Sequence, residues 1–143
     1  MKPSADEIAL REAKQADVGP LLDLWRSADA VPGVTDTAAD VSNVIEVDCA
    51  RVLVAEVGGH LVGSVIATFD GWRGNIYRLA VHPDHRRCGV AKTLLEAADR
   101  WLVERGAKRV TALVVQAHPW AVGFWDASGY VFDERIARYV HTL

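Results

Sequence analysis

The segment from Gly89 to about Arg105 carries apolar residues at helical spacing. Val90, Ala91, Leu94, Leu95, Ala98, Trp101 and Leu102 form one stripe, while Lys92, Glu96, Asp99, Arg100 and Glu104 occupy the wet face. Such a helix must bury its stripe, and Gly106 supplies its stop. Directly before it runs Leu79-Ala80-Val81-His82-Pro83-Asp84-His85-Arg86-Arg87-Cys88, which reads as a strand, a turn and a short basic loop. Amides in the first turn of a helix have no intrahelical partner, and the helix dipole adds partial positive charge there. Gly89 has no Cβ to keep a ligand away, Ala91 is small, and Arg86 and Arg87 bring two full charges. The two arginines could be plain surface charges, but their place before a helix start favours phosphate contact. A pyrophosphate-bearing ligand is therefore expected at this loop.

The rest of the chain alternates strands and helices around that unit. Ile8 to Arg11 reads as a strand, and Asp17 as the N-cap of a helix to about Asp29, with Val18, Leu21, Leu22 and Trp25 apolar. Val31-Pro32-Gly33 is a turn, and Thr35 or Asp36 caps a second helix through Val47. Arg51 to Val57 and His60 to Phe69 read as strands joined by the two-residue hairpin loop Gly58-Gly59. After the turn Asp70–Gly74, a strand runs from about Asn75 to Val81, in which alternation places Tyr77, Leu79 and Val81 on one face. Arg109 to Val115 is apolar enough to be buried on both faces. A short helix from about Pro119 to Ser128 and closing strands at Tyr130–Phe132 and Ile136–Val140 complete the reading. The expected class is α/β of the α+β kind, one domain over residues 1–143, with a mixed sheet covered by helices.

Composition removes several function classes. Half of the 143 residues are apolar, enough for a sizeable core, and a net charge of −3 argues against nucleic-acid binding. Cys49 and Cys88 form no framework pattern, so a reducing cytoplasmic setting is expected. The first residues lack an apolar leader, and no run approaches the roughly 20 apolar residues of a membrane span. His82, Asp84 and His85 have the wrong spacing for a metal on one helix face, so no metal is expected.

Two motifs together resemble a known family. Arg86-x-x-Gly89-x-Ala91, after a Leu-Ala-Val strand and His82-Pro83, resembles the acyl-CoA-binding motif of the GNAT-superfamily N-acetyltransferases. Ala121-Val122-Gly123-Phe124-Trp125-Asp126-Ala127-Ser128-Gly129-Tyr130 is similar to that family's second signature, Ala-x-x-Phe-Tyr-x-x-x-Gly-Phe. The resemblance implies a mostly antiparallel twisted sheet with a V-shaped splay between central strands and about four helices. It also implies transfer of an acetyl group from acetyl-CoA to a primary amine of a small molecule or peptide by direct attack. Amides of Arg87, Cys88, Gly89, Val90 and Ala91 would then hold the pyrophosphate, with Lys92 and Thr93 close behind. The backbone of Leu79, Ala80 and Val81 would pair with the pantetheine arm, and an amide near Ala80 or Val81 would face the thioester oxygen. Phe124 and Trp125 would contact the cofactor. A homodimer is common for the fold.

Two departures touch the chemistry. Trp125 stands where many members have the tyrosine proposed to protonate the leaving thiolate, and an indole N–H has no useful acidity. His118 stands where the family commonly has an asparagine on the cofactor. It is a candidate for proton transfer, with cofactor contact or a plain helix-start role preferred. No carboxylate stands near Asn75-Ile76-Tyr77-Arg78 to act as base. Tyr77 is the remaining candidate, ordering a water that takes the amine proton, although tyrosine ionises only near about pH 10 and a half-buried strand role is favoured. Cys88 reads as a spectator in the loop. Trp25 and Trp101 fall on apolar stripes and read as core, whereas Trp72 and Trp120 lie near turns that could line the acceptor cleft. Asp29, Asp36, Asp40, Glu46 and Asp48 form either an acidic acceptor wall or, as preferred, the solvated faces of two helices. The rival functional class is a catalytically weak or inactive acyl-CoA-binding sensor. A Walker-type nucleotide site is disfavoured because no Lys-Ser/Thr pair follows the loop glycine.

Overall fold

A computed structural model describes residues 7–115 and 118–143. The chain divides into two units, Met1–Ala112 and Leu113–Leu143. In the first, β1 (Ala9–Glu12) leads to α1 (Val18–Ser27) and α2 (Ala38–Glu46). Then follow β2 (Ala50–Val57), β3 (His60–Phe69), β4 (Gly74–Val81), α3 (Val90–Glu104) and β5 (Val110–Ala112). The sheet order is β1-β2-β3-β4-β5, antiparallel throughout except for the parallel pair β4–β5. This is the mixed, mostly antiparallel sheet expected.

Alternation along the strands divides the core between the two faces. Val52, Val54, Ile66 and Ala80 pack under Leu21, Leu24, Trp25 and Ala28 of the α1 segment and Val41 of α2. Gly63 and Ala55, of opposite parity, lie against Val90 and Leu94 of α3. The stripe of α3 is buried as its period requires, including Leu94, Leu95, Ala98, Trp101 and Leu102. Trp25 and Trp101 are both core residues.

Three local expectations are corrected. The cap of α2 is Thr37, whose hydroxyl accepts the Asp40 amide at 3.1 Å, and not Thr35 or Asp36. Asp36 is drawn instead to Arg78. Asp17 does stand at the N-cap of α1, but its carboxylate makes no cap hydrogen bond there; it takes the Arg11 guanidinium at 2.6 and 2.9 Å and the Lys14 amide at 2.7 Å. The Arg11 hydrogen bonds hold this carboxyl below the usual aspartate value. Arg11 also pairs with Glu56, joining β1 to β2. The strand expected over Arg109–Val115 forms only at Val110–Ala112, the sheet's edge, where Thr111 is exposed.

In the second unit the described helix is α4 (Pro119–Ala127). Residues Tyr130–Phe132 and Ile136–Val140 form no strand, contrary to expectation. Their β-forming side chains are a local signal, whereas a strand also needs a ladder with a neighbouring strand. Val131 and Tyr139 are 90% and 94% exposed. No described helix is long and apolar enough to cross a membrane.

Candidate active site

The site begins where β4 departs from regular pairing. Ile66 lies opposite Tyr77 and Ser64 opposite Ala80, so Val65 alone faces both Arg78 and Leu79. This is a β-bulge, and Arg78 takes a left-handed φ of 53° to make it. The bulge overturns the expected alternation. Ala80 and Tyr77's partner Ile66 both belong with the core under α1 and α2, so Tyr77 and Ala80 share a face despite lying three residues apart. Tyr77 is 41% exposed there.

Buried polar groups fix the bulge. The Ser64 hydroxyl, fully buried, donates to the Arg78 carbonyl at 2.8 Å and accepts the Trp25 indole N–H at 2.9 Å. On the far side, β4 pairs with β5 only through Gly74, Asn75 and Ile76. From Tyr77 to Val81 its outward backbone groups have no strand partner among the described residues. That is the expected splay, and it leaves outward backbone groups of the Leu79–Val81 stretch with hydrogen-bonding capacity along one edge, while Ala80 pairs with Ser64 of β3.

β4 runs straight into the phosphate-loop candidate. The His82 amide donates to Val62 O at 2.8 Å, and Pro83–His85 makes a single 3-10 turn closed by His85 N donating to His82 O at 2.9 Å and capped by Asp84 N donating to His82 Nδ1 at 3.2 Å. Arg87 and Gly89, with φ of 62° and 86°, then turn the chain into α3. The amides of Val90, Ala91 and Lys92 start the helix with no carbonyl one turn back. A Cβ on Gly89 would meet no protein atom within 4 Å, so this position is restricted by its φ while the surface above it stays open. A phosphate fits such a surface, bounded by helix-start amides and a basic loop.

The side chains of the loop divide their work. Arg86 sends one amino group to Ala28 O at 3.2 Å, tying the loop to the end of α1. Arg87 and Lys92 are exposed. The Cys88 thiol donates to Arg86 O at 3.4 Å and the Thr93 hydroxyl to Gly89 O at 2.7 Å, so both fasten the loop's own carbonyls. Val90 is core. The acidic residues of the first two helices are largely engaged: Asp36 by Arg78, Asp40 by Thr37 and Glu46 by Gln15. Trp72 is exposed beneath the Arg73 guanidinium, 4.4 Å from its ring centre.

The second unit holds the remaining candidates. His118 stands at the N-cap of α4 with no side-chain cap, its carbonyl accepting the amides of Ala121 and Val122 and its ring stacked 5.5 Å from Trp120. Trp125 packs edge-on against Phe124 at 5.5 Å and Tyr130 at 4.7 Å. Sequence reasoning missed Ser64, Arg78 and Gly63. Only the last left a signal, a glycine inside an apolar strand, which marks a close approach.

The same fold occurs in solved acetyltransferases. An aminoglycoside N-acetyltransferase in complex with CoA matches with a TM-score of 0.79 at 18% identity, covering 95% of each chain. An aminoglycoside acetyltransferase from an uncultured soil metagenomic sample, solved with trehalose, gives 0.75 at 18% identity over 97% of this chain and 98% of that one. A ribosomal-protein-alanine N-acetyltransferase from Brucella melitensis biovar Abortus 2308 gives 0.72 at 19% identity over 95% and 99%. Residues 21–130 match the model of the acetyltransferase (GNAT) family. With a left-handed glycine turn into α3, a bulged β4 and a splayed sheet around them, the chain belongs to the GNAT acetyltransferase family.

Proposed function

We propose that this acetyltransferase uses acetyl-CoA and acetylates a primary amine by direct attack. The observation that carries the reading is the continuity of two features. The unpaired edge of β4 at Leu79–Val81 leads directly into the open, amide-lined turn at Arg87–Ala91. The turn suits a pyrophosphate and the strand edge suits the amide-bearing arm of the same molecule. Acetyl-CoA supplies the activated thioester. A backbone amide near Ala80 or Val81 would stabilise the oxyanion as the amine nitrogen adds to the carbonyl carbon. Collapse forms the amide and releases the CoA thiol. His118, Phe124 and Trp125 are assigned to cofactor contact, and ordered water near Tyr77 to taking the amine proton. Two free thiols suit a reducing cytoplasm.

Small-molecule amines and peptide N-termini are both acceptor classes, as the aminoglycoside and alanine acetyltransferases of the same fold illustrate. Calorimetry with CoA and ATP, followed by thiol release from acetyl-CoA across an amine and peptide panel, tests the proposal. CoA binding with turnover is expected. Preference for ATP would overturn the cofactor assignment. Tight CoA binding without turnover on any acceptor would identify a sensor, the role that Trp125 in the acid position would suit.

A further inference from the structure

Arg78 occupies a left-handed backbone conformation, with φ at 53°, in which any residue that carries a Cβ is strained. Its side chain is correspondingly well engaged. One amino group donates to both Asp36 carboxylate oxygens at 2.7 and 2.6 Å, and the other to Val31 O at 3.1 Å. The guanidinium carbon lies 5.3 Å from the centre of the Trp25 ring. The connection between α1 and α2 is folded around this group. The Gly33 amide donates to Asp36 Oδ2 at 3.1 Å, and the Asp36 amide to Gly33 O at 3.1 Å. A Cβ on Gly33 would fall 3.3 Å from the Arg78 amino nitrogen, so this glycine leaves room for the guanidinium. Both side chains of the ion pair are 21% exposed, which shields them more than an ordinary surface pair.

The other end of the same residue belongs to the bulge. Its carbonyl accepts from Ser64, and Ser64 accepts from Trp25, so one tryptophan supports the guanidinium and, through Ser64, the carbonyl. We propose that Arg78 is a positioning residue that seats residues 31–36 over the β4 bulge, fixing where the acceptor amine meets the thioester. The proposal rests on reading the protein as an acetyl-CoA-dependent transferase. Arg78 directly precedes Leu79–Val81, the strand edge assigned to the thioester arm, so the segment it holds lies beside the reacting end of the cofactor. A seated loop holds the nucleophile near attack geometry, and a loosened one loses rate through orientation.

Three variants test this. Asp36→Asn weakens the pair from the loop side and leaves the bulge residue intact. Arg78→Gly removes the clamp while easing the left-handed backbone, and Arg78→Lys keeps the charge without the planar fork. The readouts are hydrogen–deuterium exchange of residues 31–36, CoA affinity, and kinetics with acetyl-CoA and either sisomicin or an alanine-terminated hexapeptide. Arg78→Gly and Asp36→Asn are expected to speed exchange in 31–36 by about tenfold and lower acceptor kcat/KM by about tenfold, with CoA affinity unchanged. Arg78→Lys should recover part of both. Unchanged exchange in 31–36, or an equal rise across β2 and α3, would overturn the proposal. If the unsubstituted protein binds no CoA, or turns over no acceptor of the amine and peptide panel, the transferase reading fails, while the exchange measurement still decides whether Arg78 seats the loop.

Discussion

Replacing Gly63 by alanine tests how the proposed phosphate loop is held in place. A Cβ there would lie 2.7 Å from Val90 Cγ1 and 3.0 Å from Leu94 Cδ1. Carbon atoms rest at about 3.5–4.0 Å, so the first turn of α3 would have to lift by roughly 1 Å. Leu94 can change rotamer, but Val90 is buried and β-branched, with one dominant rotamer in a helix. Overpacking of this kind costs about 1–3 kcal/mol, and the loss of a strand glycine offsets about 0.5–1 kcal/mol. The net loss of about 1–2 kcal/mol corresponds to a fall in Tm of about 3–8 °C for a chain of this size. Val90 directly follows Gly89, so the displacement passes into the loop, and CoA affinity should fall by about tenfold or more. Thermal melting and calorimetric titration with CoA measure the two effects. Val90→Ala in the same chain removes the clashing methyl and should restore much of both, a coupling of about 1 kcal/mol. Wild-type Tm and affinity in Gly63→Ala, or simple additivity in the double variant, would refute the reasoning.

Other substitutions separate the remaining roles. Gly89→Asp combines a disfavoured φ with a negative charge facing the pyrophosphate, and a CoA affinity at least about a hundredfold weaker is expected by calorimetry. Asp17→Asn removes the carboxylate that Arg11 stabilises and should cost about 1.5–3 kcal/mol at pH 7 in urea unfolding. Because the Asp17 value is lowered by folding, its contribution is complete above the unfolded value near about 4. It is lost as pH falls through the folded value, so wild-type and Asp17→Asn stabilities should converge in acid. A difference that persists at the lowest pH would contradict that sign. Trp125→Tyr places a phenol at the family's acid position and should raise kcat by about tenfold if thiolate protonation limits turnover; an unchanged kcat with full CoA binding would show that it does not.

What could be read from the sequence depended on whether the cause was local. The α3 stripe, the Gly58-Gly59 hairpin and the loop before Val90 are written in neighbouring residues, and each lies where periodicity or turn chemistry put it. Arg78 is different. Nothing adjacent marks an arginine for a left-handed bulge, because Asp36, Val31 and Ser64 hold it from other elements. The face assignment of Tyr77 failed for that reason. That Thr37 caps α2, and neither Thr35 nor Asp36, likewise goes with a partner of Asp36 that lies 42 residues away. In the closing segment, Val131 and Ile136 have strand-forming side chains, yet local preference does not supply the ladder that makes a strand.

The sheet's neighbours follow the order of the chain. β2, β3 and β4 are joined by short turns, so their ladders close small loops at low entropic cost. β1 must reach β2 across two helices, and β5 must reach β4 in parallel across α3, both longer closures. The β2–β3–β4 meander is therefore expected to form first, with α3 docking onto Gly63 afterwards. A contact made late governs escape from the native state more than arrival at it. Gly63→Ala should then quicken unfolding in denaturant jumps while leaving the refolding rate near that of the unsubstituted protein. The lifetime of the proposed phosphate loop, as distinct from its shape, would be set by two methyl-bearing side chains resting on the one position of β3 that has no Cβ to offer them.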